Sequence, residues 1–168
     1  MRLAIGISAF AASLASAFLL AAAPPPTLRL PDGPEKPITP ESLLGAGRED
    51  VRVEESGGDV TVFHGLSLLE VLEKNGLDAK TMSGARRLAS AVVIATARDG
   101  YTAAFSVGEL LMHRADPRVF LVAETAAGPL PEDRGPVRLI VYGDKPRSAY
   151  GLGKIEMKVL ADNAPRAH

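Results

Sequence analysis

Beyond residue 23, the chain consists of short apolar segments separated by turns rich in glycine and proline, and this spacing limits the folds it can adopt. The alternation of apolar residues predicts roughly seven or eight short strands and three short helices. Parallel strands joined by βαβ crossovers need longer and more numerous helices than these. We therefore expect an α+β domain with a mixed, mostly antiparallel sheet.

Glycine-centred turns and helix caps locate the individual elements. Gly57-Gly58 lies between two runs of alternating valines and predicts a β-hairpin, and Asp99-Gly100 predicts a second. Thr39, Ser67 and Ser106 are positioned to cap the three helices. Strands are predicted at residues 91–97, 101–105, 119–122, 137–142 and 155–160, with a further strand at 28–30 that could form an edge.

The N-terminal segment 1–23 is typical of an export signal. Arg2 precedes an uncharged apolar run, and Ala15-Ser16-Ala17 and Ala21-Ala22-Ala23 both fit the small-residue rule for cleavage. This segment has no Arg-Arg pair, which favours a Sec-type signal over a twin-arginine signal, and hence a periplasmic or secreted protein. An uncleaved membrane anchor is the alternative, because the run is long enough to span a bilayer, and a buried core helix is a third interpretation.

The remaining chain divides into three parts by composition. Residues 24–40 contain seven prolines, which favours an extended tether. Residues 41–161 form the predicted domain, and residues 162–168 form a tail that we expect to be frayed.

Composition excludes several classes of function. The chain has 19 basic and 20 acidic residues, a net charge of -1, so it lacks the basic excess of a nucleic-acid-binding protein. It has no cysteine, which excludes disulfides, thiolate metal sites, iron–sulfur clusters and thiol nucleophiles. The three histidines lack the spacing of a zinc site, and neither a G-x-S-x-G motif nor a phosphate-binding P-loop is present.

The densest polar cluster lies between residues 138 and 154. It combines cationic residues with small residues that favour turns, which is a composition suited to binding an anion. A solvated turn of mixed charge is the alternative. The cluster comprises Arg138, Tyr142, Gly143, Asp144, Lys145, Pro146, Arg147, Ser148 and Lys154.

Two further residues have both a structural and a functional interpretation. His64 lies at a predicted strand-to-helix junction, where it either contacts a ligand or is simply a partly exposed side chain. Tyr101 follows the Asp99-Gly100 turn, and we expect it to be a strand residue rather than a site residue.

Between His64 and Val159, the order of short motifs resembles the molybdopterin-binding domain of sulfite-oxidase-like oxidoreductases. A motif glycine precedes an apolar helix, and it is followed by a D-G-Y turn, a glycine loop, a G-P-x-R-L strand and a closing strand. The matching segments are His64–Leu72 with Asn75-Gly76, Ala97–Tyr101, Phe105–Leu110, Ala127–Leu130, Gly135–Val141 and Lys154-Ile155.

This resemblance implies a sulfite-oxidase-like fold and a set of cofactor-binding positions. Carried over residue by residue, those positions are His64, Arg138, Lys145, Arg147, Ser148 and Lys154. No catalytic residue and no metal ligand is assigned.

The chain departs from the family where catalytic relatives coordinate the metal with a cysteine. Val53 lies near that position, and neighbouring Glu54 or Glu55 could supply only hard oxygen donors in place of a soft thiolate. We therefore expect an exported, non-catalytic or degenerate version of the scaffold, which binds an anionic small molecule or a periplasmic redox partner protein. The alternative is an active periplasmic molybdopterin-dependent oxidoreductase with a non-cysteine metal ligand, so whether the protein is an enzyme stays open.

The partners and cofactors follow from these two hypotheses. The cofactor is either absent or a molybdopterin, no nucleic acid is expected, and a membrane is involved only if the N-terminal segment stays uncleaved.

Overall fold

A computed structural model of the chain describes residues 23–45, 47–54, 58–79, 81, 84 and 88–160. The predicted signal segment and the C-terminal tail therefore lie outside the described residues, apart from Ala23, as do the Gly57 half of the first turn and much of segment 78–89. The described residues have an α+β fold, as predicted, and their strands form two mostly antiparallel sheets in place of the single sheet we expected.

The first sheet consists of β1 (Thr27–Arg29), β2 (Lys36–Pro37), β5 (Ala91–Ala97), β6 (Thr102–Ser106) and β10 (Leu152–Val159). Its strand order is β2-β1-β10-β5-β6. Its pairs are antiparallel except that β1 runs parallel to β10, with Leu28 opposite Ile155.

The second sheet consists of β3 (Glu49–Glu54), β4 (Val60–Ser67), β7 (Val119–Thr125), β8 (Gly128–Pro129) and β9 (Arg138–Val141). It is antiparallel throughout and has the order β3-β4-β7-β8, with β9 also paired to β7.

The helices begin at the predicted caps. They are α1 (Pro40–Leu44), α2 (Leu68–Lys74) and α3 (Val107–Met112), and a 3₁₀ turn covers Lys145–Arg147. The side-chain oxygens of Thr39, Ser67 and Ser106 each accept a backbone N–H from the first turn. Each cap satisfies a donor that has no partner within its helix, which fixes where that helix starts.

The two sheets share one apolar core, which explains why the chain divides its strands between them. Leu28, Val93 and Ile155 of the first sheet belong to the same buried cluster as Leu66 and Leu121 of the second. Each sheet thus buries one face in this core, and the helices add buried residues such as Leu43, Leu72 and Leu110 to it.

A smaller apolar cluster lies on the opposite face of the second sheet. Its buried members are Val51, Phe63, Phe120, Val122 and Ile140. Because successive strand residues point to opposite faces, β7 alternates between the two clusters, with Leu121 in the larger and Phe120 in the smaller. The second sheet is therefore covered on both faces, which is why β7 and β9 are apolar without alternation.

The proline-rich segment 24–40 forms two short antiparallel strands joined by a turn, and it is part of the folded domain. Its Leu28 and Ile38 are buried in the main core. The strand expected at 28–30 lies at Thr27–Arg29 and has neighbours on both sides, so the prediction of an edge strand was wrong. Its parallel pairing with β10 joins residues far apart in sequence, and local patterns contain no signal for such pairing.

Candidate functional site

A cleft of about 510 Å³ opens beside the smaller apolar cluster, between the end of β3 and the end of β9. We call it the β3–β9 cleft. It is lined by Arg52, Val53, Glu54, Arg138, Ile140, Val141, Tyr142, Gly143, Lys145, Ser148 and Tyr150. This volume lies within the range of typical small-molecule sites.

Arg138 forms the buried wall of the cleft. Only 6% of its surface is exposed, although it carries a charge. Its Cζ lies 4.9 Å from the ring centroid of Phe63 and 4.3 Å from that of Tyr150, and its Nη2 donates to the Tyr150 hydroxyl at 3.4 Å. Guanidinium groups stack favourably on aromatic rings, so these contacts hold the cation in one orientation.

Tyr150 is stabilised by a second guanidinium as well. The Cζ of Arg134 lies 5.1 Å from the Tyr150 ring centroid. Arg134 and Arg138 therefore both pack on this half-exposed ring, which fixes one side of the cleft mouth.

Ser148 contributes a hydroxyl whose proton can be donated to a ligand. The hydroxyl oxygen accepts the Val141 N–H at 2.9 Å, which ties the residues after the 3₁₀ turn to β9. A serine hydroxyl that accepts one bond still has its own proton to donate.

Arg52 on β3 and Tyr142, the residue after β9, connect the two sides of the cleft. The Tyr142 hydroxyl donates to the backbone carbonyl of Arg52 at 2.7 Å, and the Tyr142 ring packs edge-on against Phe120 with centroids 5.6 Å apart. Within the described part of the chain, the charged groups of Arg52 and Lys145 have no ion-pair partner, and both residues are exposed.

The electrostatic character of the cleft is positive. Arg52, Arg138 and Lys145 supply three cations against the single carboxylate of Glu54 among the described lining residues. With the Ser148 hydroxyl, this arrangement presents mainly donors. Such a site can bind an oxyanion such as a phosphate, a sulfate or a carboxylate.

The donor set suits an oxyanion, and it offers no soft ligand for a metal ion. Half-buried Val53 lines the cleft beside Arg52 and Glu54. An isopropyl group cannot ligate a metal, and Glu54 offers only hard oxygen donors. Among the described residues, no group of three or more His, Cys, Asp or Glu side chains could hold a metal ion.

The structure brings three of the six predicted site residues, Arg138, Lys145 and Ser148, into the β3–β9 cleft. His64 is not among the described residues that line it. Its Nδ1 lies 2.9 Å from Asp50 Oδ1 on the neighbouring strand β3, so its described polar contact is with the sheet itself.

Arg147 and Lys154 also lie away from the cleft. Lys154 is on β10 of the first sheet, where its Nζ is 3.7 Å from Glu156 Oε1. Arg147 lines a separate cavity of about 220 Å³ and pairs with Glu109 at 3.0 Å and with Asp144 at 2.6 Å. Hydrogen bonds from Arg147 to these two carboxylates raise the pKa of its guanidinium, and the two negative charges balance its positive charge.

Sequence reasoning missed Arg52 and Tyr150 as site residues. Tyr150 lies two residues after Ser148 of the predicted cluster, and its ring stacking on Arg138 depends on tertiary structure. Arg52 did have a signal, because it is a charged residue that adjoins Val53 on a predicted strand. Arg52 and Arg138 are more than 80 residues apart in sequence, and the pairing of β3 with β4, β4 with β7 and β7 with β9 brings them into one sheet. Local sequence patterns do not predict this pairing.

No helix within the described residues combines the length and the hydropathy that a bilayer-spanning segment requires. No protein-family model matches the chain, and a comparison with curated proteins finds no significant match.

Proposed function

We propose that this protein is an exported, non-catalytic version of the sulfite-oxidase-like molybdopterin-binding scaffold, and that it binds an anionic small molecule in the β3–β9 cleft. The observation that carries the proposal is the lining of this cleft. Arg52, Arg138 and Lys145 surround it, and beside them lies Val53, the residue that the sequence resemblance aligns near the family's metal-ligating cysteine.

The cations differ in their roles. Arg138 is buried and fixed by two aromatic rings, so it contributes a constant positive potential and a rigid wall. Arg52 and Lys145 are exposed, and their charges can approach an incoming ligand directly. A buried cation behind two exposed ones is an arrangement that attracts and then retains an anion.

The chemistry of the lining argues against redox catalysis by a metal held as in the family. Soft thiolates and hard carboxylates are not interchangeable as ligands, and the chain has no cysteine anywhere. An active oxidoreductase with an oxygen ligand remains the alternative function, for which Glu54 is the carboxylate nearest the required position among the described lining residues.

The test is an isothermal titration of the full chain with inorganic phosphate and with pyrophosphate, at two salt concentrations. Lys145→Ala and Arg52→Ala each remove one exposed charge from the cleft. Because one exposed charge contributes about 1 kcal/mol, each substitution should weaken pyrophosphate binding about fivefold. Each should also make binding less sensitive to salt.

Lys154→Ala is the control, because it removes a half-exposed lysine that lies on the first sheet, outside the described lining of the cleft. We expect its affinity for pyrophosphate to equal that of the unsubstituted protein. Equal losses for Lys145→Ala and Lys154→Ala would show that only net charge matters. Failure of the unsubstituted protein to bind either anion at millimolar concentration would contradict the proposal outright.

A further inference from the structure

The 3₁₀ turn Lys145–Arg147 carries a key cation of the cleft, yet a turn of three residues cannot hold itself in place. Its local bonds are the Arg147 N–H to the Asp144 carbonyl at 3.1 Å and the Ser148 N–H to the Lys145 carbonyl at 3.0 Å. Short 3₁₀ turns have poor hydrogen-bond geometry, so contacts from outside must determine where Lys145 lies.

Ser148 and Ala149 are bonded to β9, and the other outside contacts come from the first sheet and from α3, the helix that follows β6. Arg147 donates from both Nη atoms to the Glu109 carboxylate on α3, at 3.0 Å and 3.4 Å. Its Cζ also lies 5.0 Å from the ring centroid of Phe105 on β6. The Tyr101 hydroxyl donates to the Pro146 carbonyl within the same turn.

We infer that Arg147 is a positioning residue for the cleft and does not contact the ligand itself. Its side chain clamps the 3₁₀ turn to α3 and β6, and this contact holds the Lys145 ammonium at the cleft. This inference rests on the proposed anion-binding function. It gives Arg147 a role that differs from the direct ligand contact predicted from the sequence.

The geometry identifies Glu109 as the group that makes the clamp effective. The pair between Arg147 and Asp144 spans only three residues and stays within the turn, so it cannot anchor the turn to another element. The pair with Glu109 spans 38 residues and joins two separate parts of the fold. A two-pronged Arg–carboxylate pair also fixes orientation, which a single point contact does not.

Glu109→Gln tests the clamp without touching the cleft. It removes the charge of the anchor and leaves the pair of Arg147 with Asp144 in place. Because this exchanges a charged, bidentate pair for a neutral contact, we expect pyrophosphate binding to weaken about three- to fivefold. In a Lys145→Ala background, the same substitution should have no further effect, since Lys145 is the group through which the clamp acts.

Glu156→Gln is the control for this experiment. Glu156 also pairs with a cation, Lys158, at 3.3 Å, but it lies on β10 of the first sheet. Its substitution should leave pyrophosphate affinity unchanged. An equal loss from Glu109→Gln with and without Lys145 would overturn the inference, because Glu109 would then act independently of Lys145.

Limited proteolysis with trypsin tests the clamp independently of any ligand. The bond after Arg147 is a trypsin site within the clamped segment, and Glu109→Gln and Tyr101→Phe both retain it. We expect both variants to be cut after Arg147 several times faster than the unsubstituted protein or Glu156→Gln, because local opening exposes the bond. Unchanged cleavage in both variants would overturn the clamp, whereas faster cleavage without anion binding would support the clamp and refute only the proposed function.

Discussion

Gly65 on β4 lies so close to β7 that no side chain fits between the strands. A Cβ placed on Gly65 would lie 2.0 Å from the Leu121 carbonyl oxygen and 2.7 Å from Val122 Cα. The register between β4 and β7 shifts at this point, between His64 and Gly65. We therefore predict that Gly65→Ala strongly destabilises the fold, because rigid backbone atoms must separate.

The expected size follows from these distances. To reach an ordinary van der Waals contact, the Leu121 oxygen must move away by about 1.4 Å, which disturbs the β4–β7 ladder between two buried faces. Overpacking of a core costs about 1–3 kcal/mol, and displacing backbone falls at the upper end. A loss of about 3 kcal/mol lowers the urea midpoint by about 1.5 M, if the denaturant slope is about 2 kcal/mol/M.

The assay is urea unfolding followed by far-ultraviolet circular dichroism, since the chain has no tryptophan. Gly108→Ala is the matched control, because a Cβ there lies in a helix with its nearest contact, Ser106 Oγ, at 3.8 Å. It should stabilise the protein by about 0.5–1 kcal/mol through helix propensity. A midpoint for Gly65→Ala equal to that of the unsubstituted protein would refute the close approach of the strands.

Two other substitutions test separate parts of the account. Burial and the nearby Glu70 carboxylate raise the pKa of Glu49. The native state therefore binds a proton on the Glu49 carboxylate more tightly than the unfolded chain does, and the free energy of unfolding falls as the pH rises through that pKa. Glu49→Gln should therefore raise the urea midpoint at pH 7, with the gain disappearing at pH values below the ordinary pKa of a glutamate; no gain at pH 7 would contradict this. Tyr142→Phe removes the bond to the Arg52 carbonyl and should cost about 1 kcal/mol in the same urea assay, whereas an unchanged midpoint would show that the bond contributes nothing.

Local elements were predictable because each depends on a few neighbouring residues. The strand at Ala91–Ala97 has its predicted bounds, and the helices begin after the predicted caps Thr39, Ser67 and Ser106. A side-chain oxygen that accepts an N–H three residues later is a short-range interaction, so its sequence pattern determines its structure.

The pairing of distant strands was not predictable from the same patterns. The division into two sheets depends on contacts such as the parallel pairing of Leu28 with Ile155, which no turn signal connects. The two-residue strand Gly128–Pro129 lies within a segment that the sequence predicts to be a loop. The first feature arises from tertiary packing, whereas the second is a local hairpin in which Gly128 pairs with Thr125 of β7.

The candidate site was partly predictable for the same reason. Arg138, Lys145 and Ser148 lie in one segment, and the turn after β9 keeps them together. Arg147 is in that segment too, yet its side chain turns away to Glu109. Composition can identify a cationic segment, but it does not show that Glu109, on a helix elsewhere in the chain, pairs with the Arg147 guanidinium.

The metal content of the protein isolated from its own cells distinguishes an anion-binding scaffold from an active molybdopterin-dependent oxidoreductase. Full-length protein purified without added cofactor would be analysed for molybdenum by mass spectrometry, and intact complexes would be weighed under native conditions. We predict far less than one molybdenum per chain, together with a bound anion whose occupancy falls in Arg52→Ala and Lys145→Ala. One tightly bound molybdenum–pterin per chain would contradict the account.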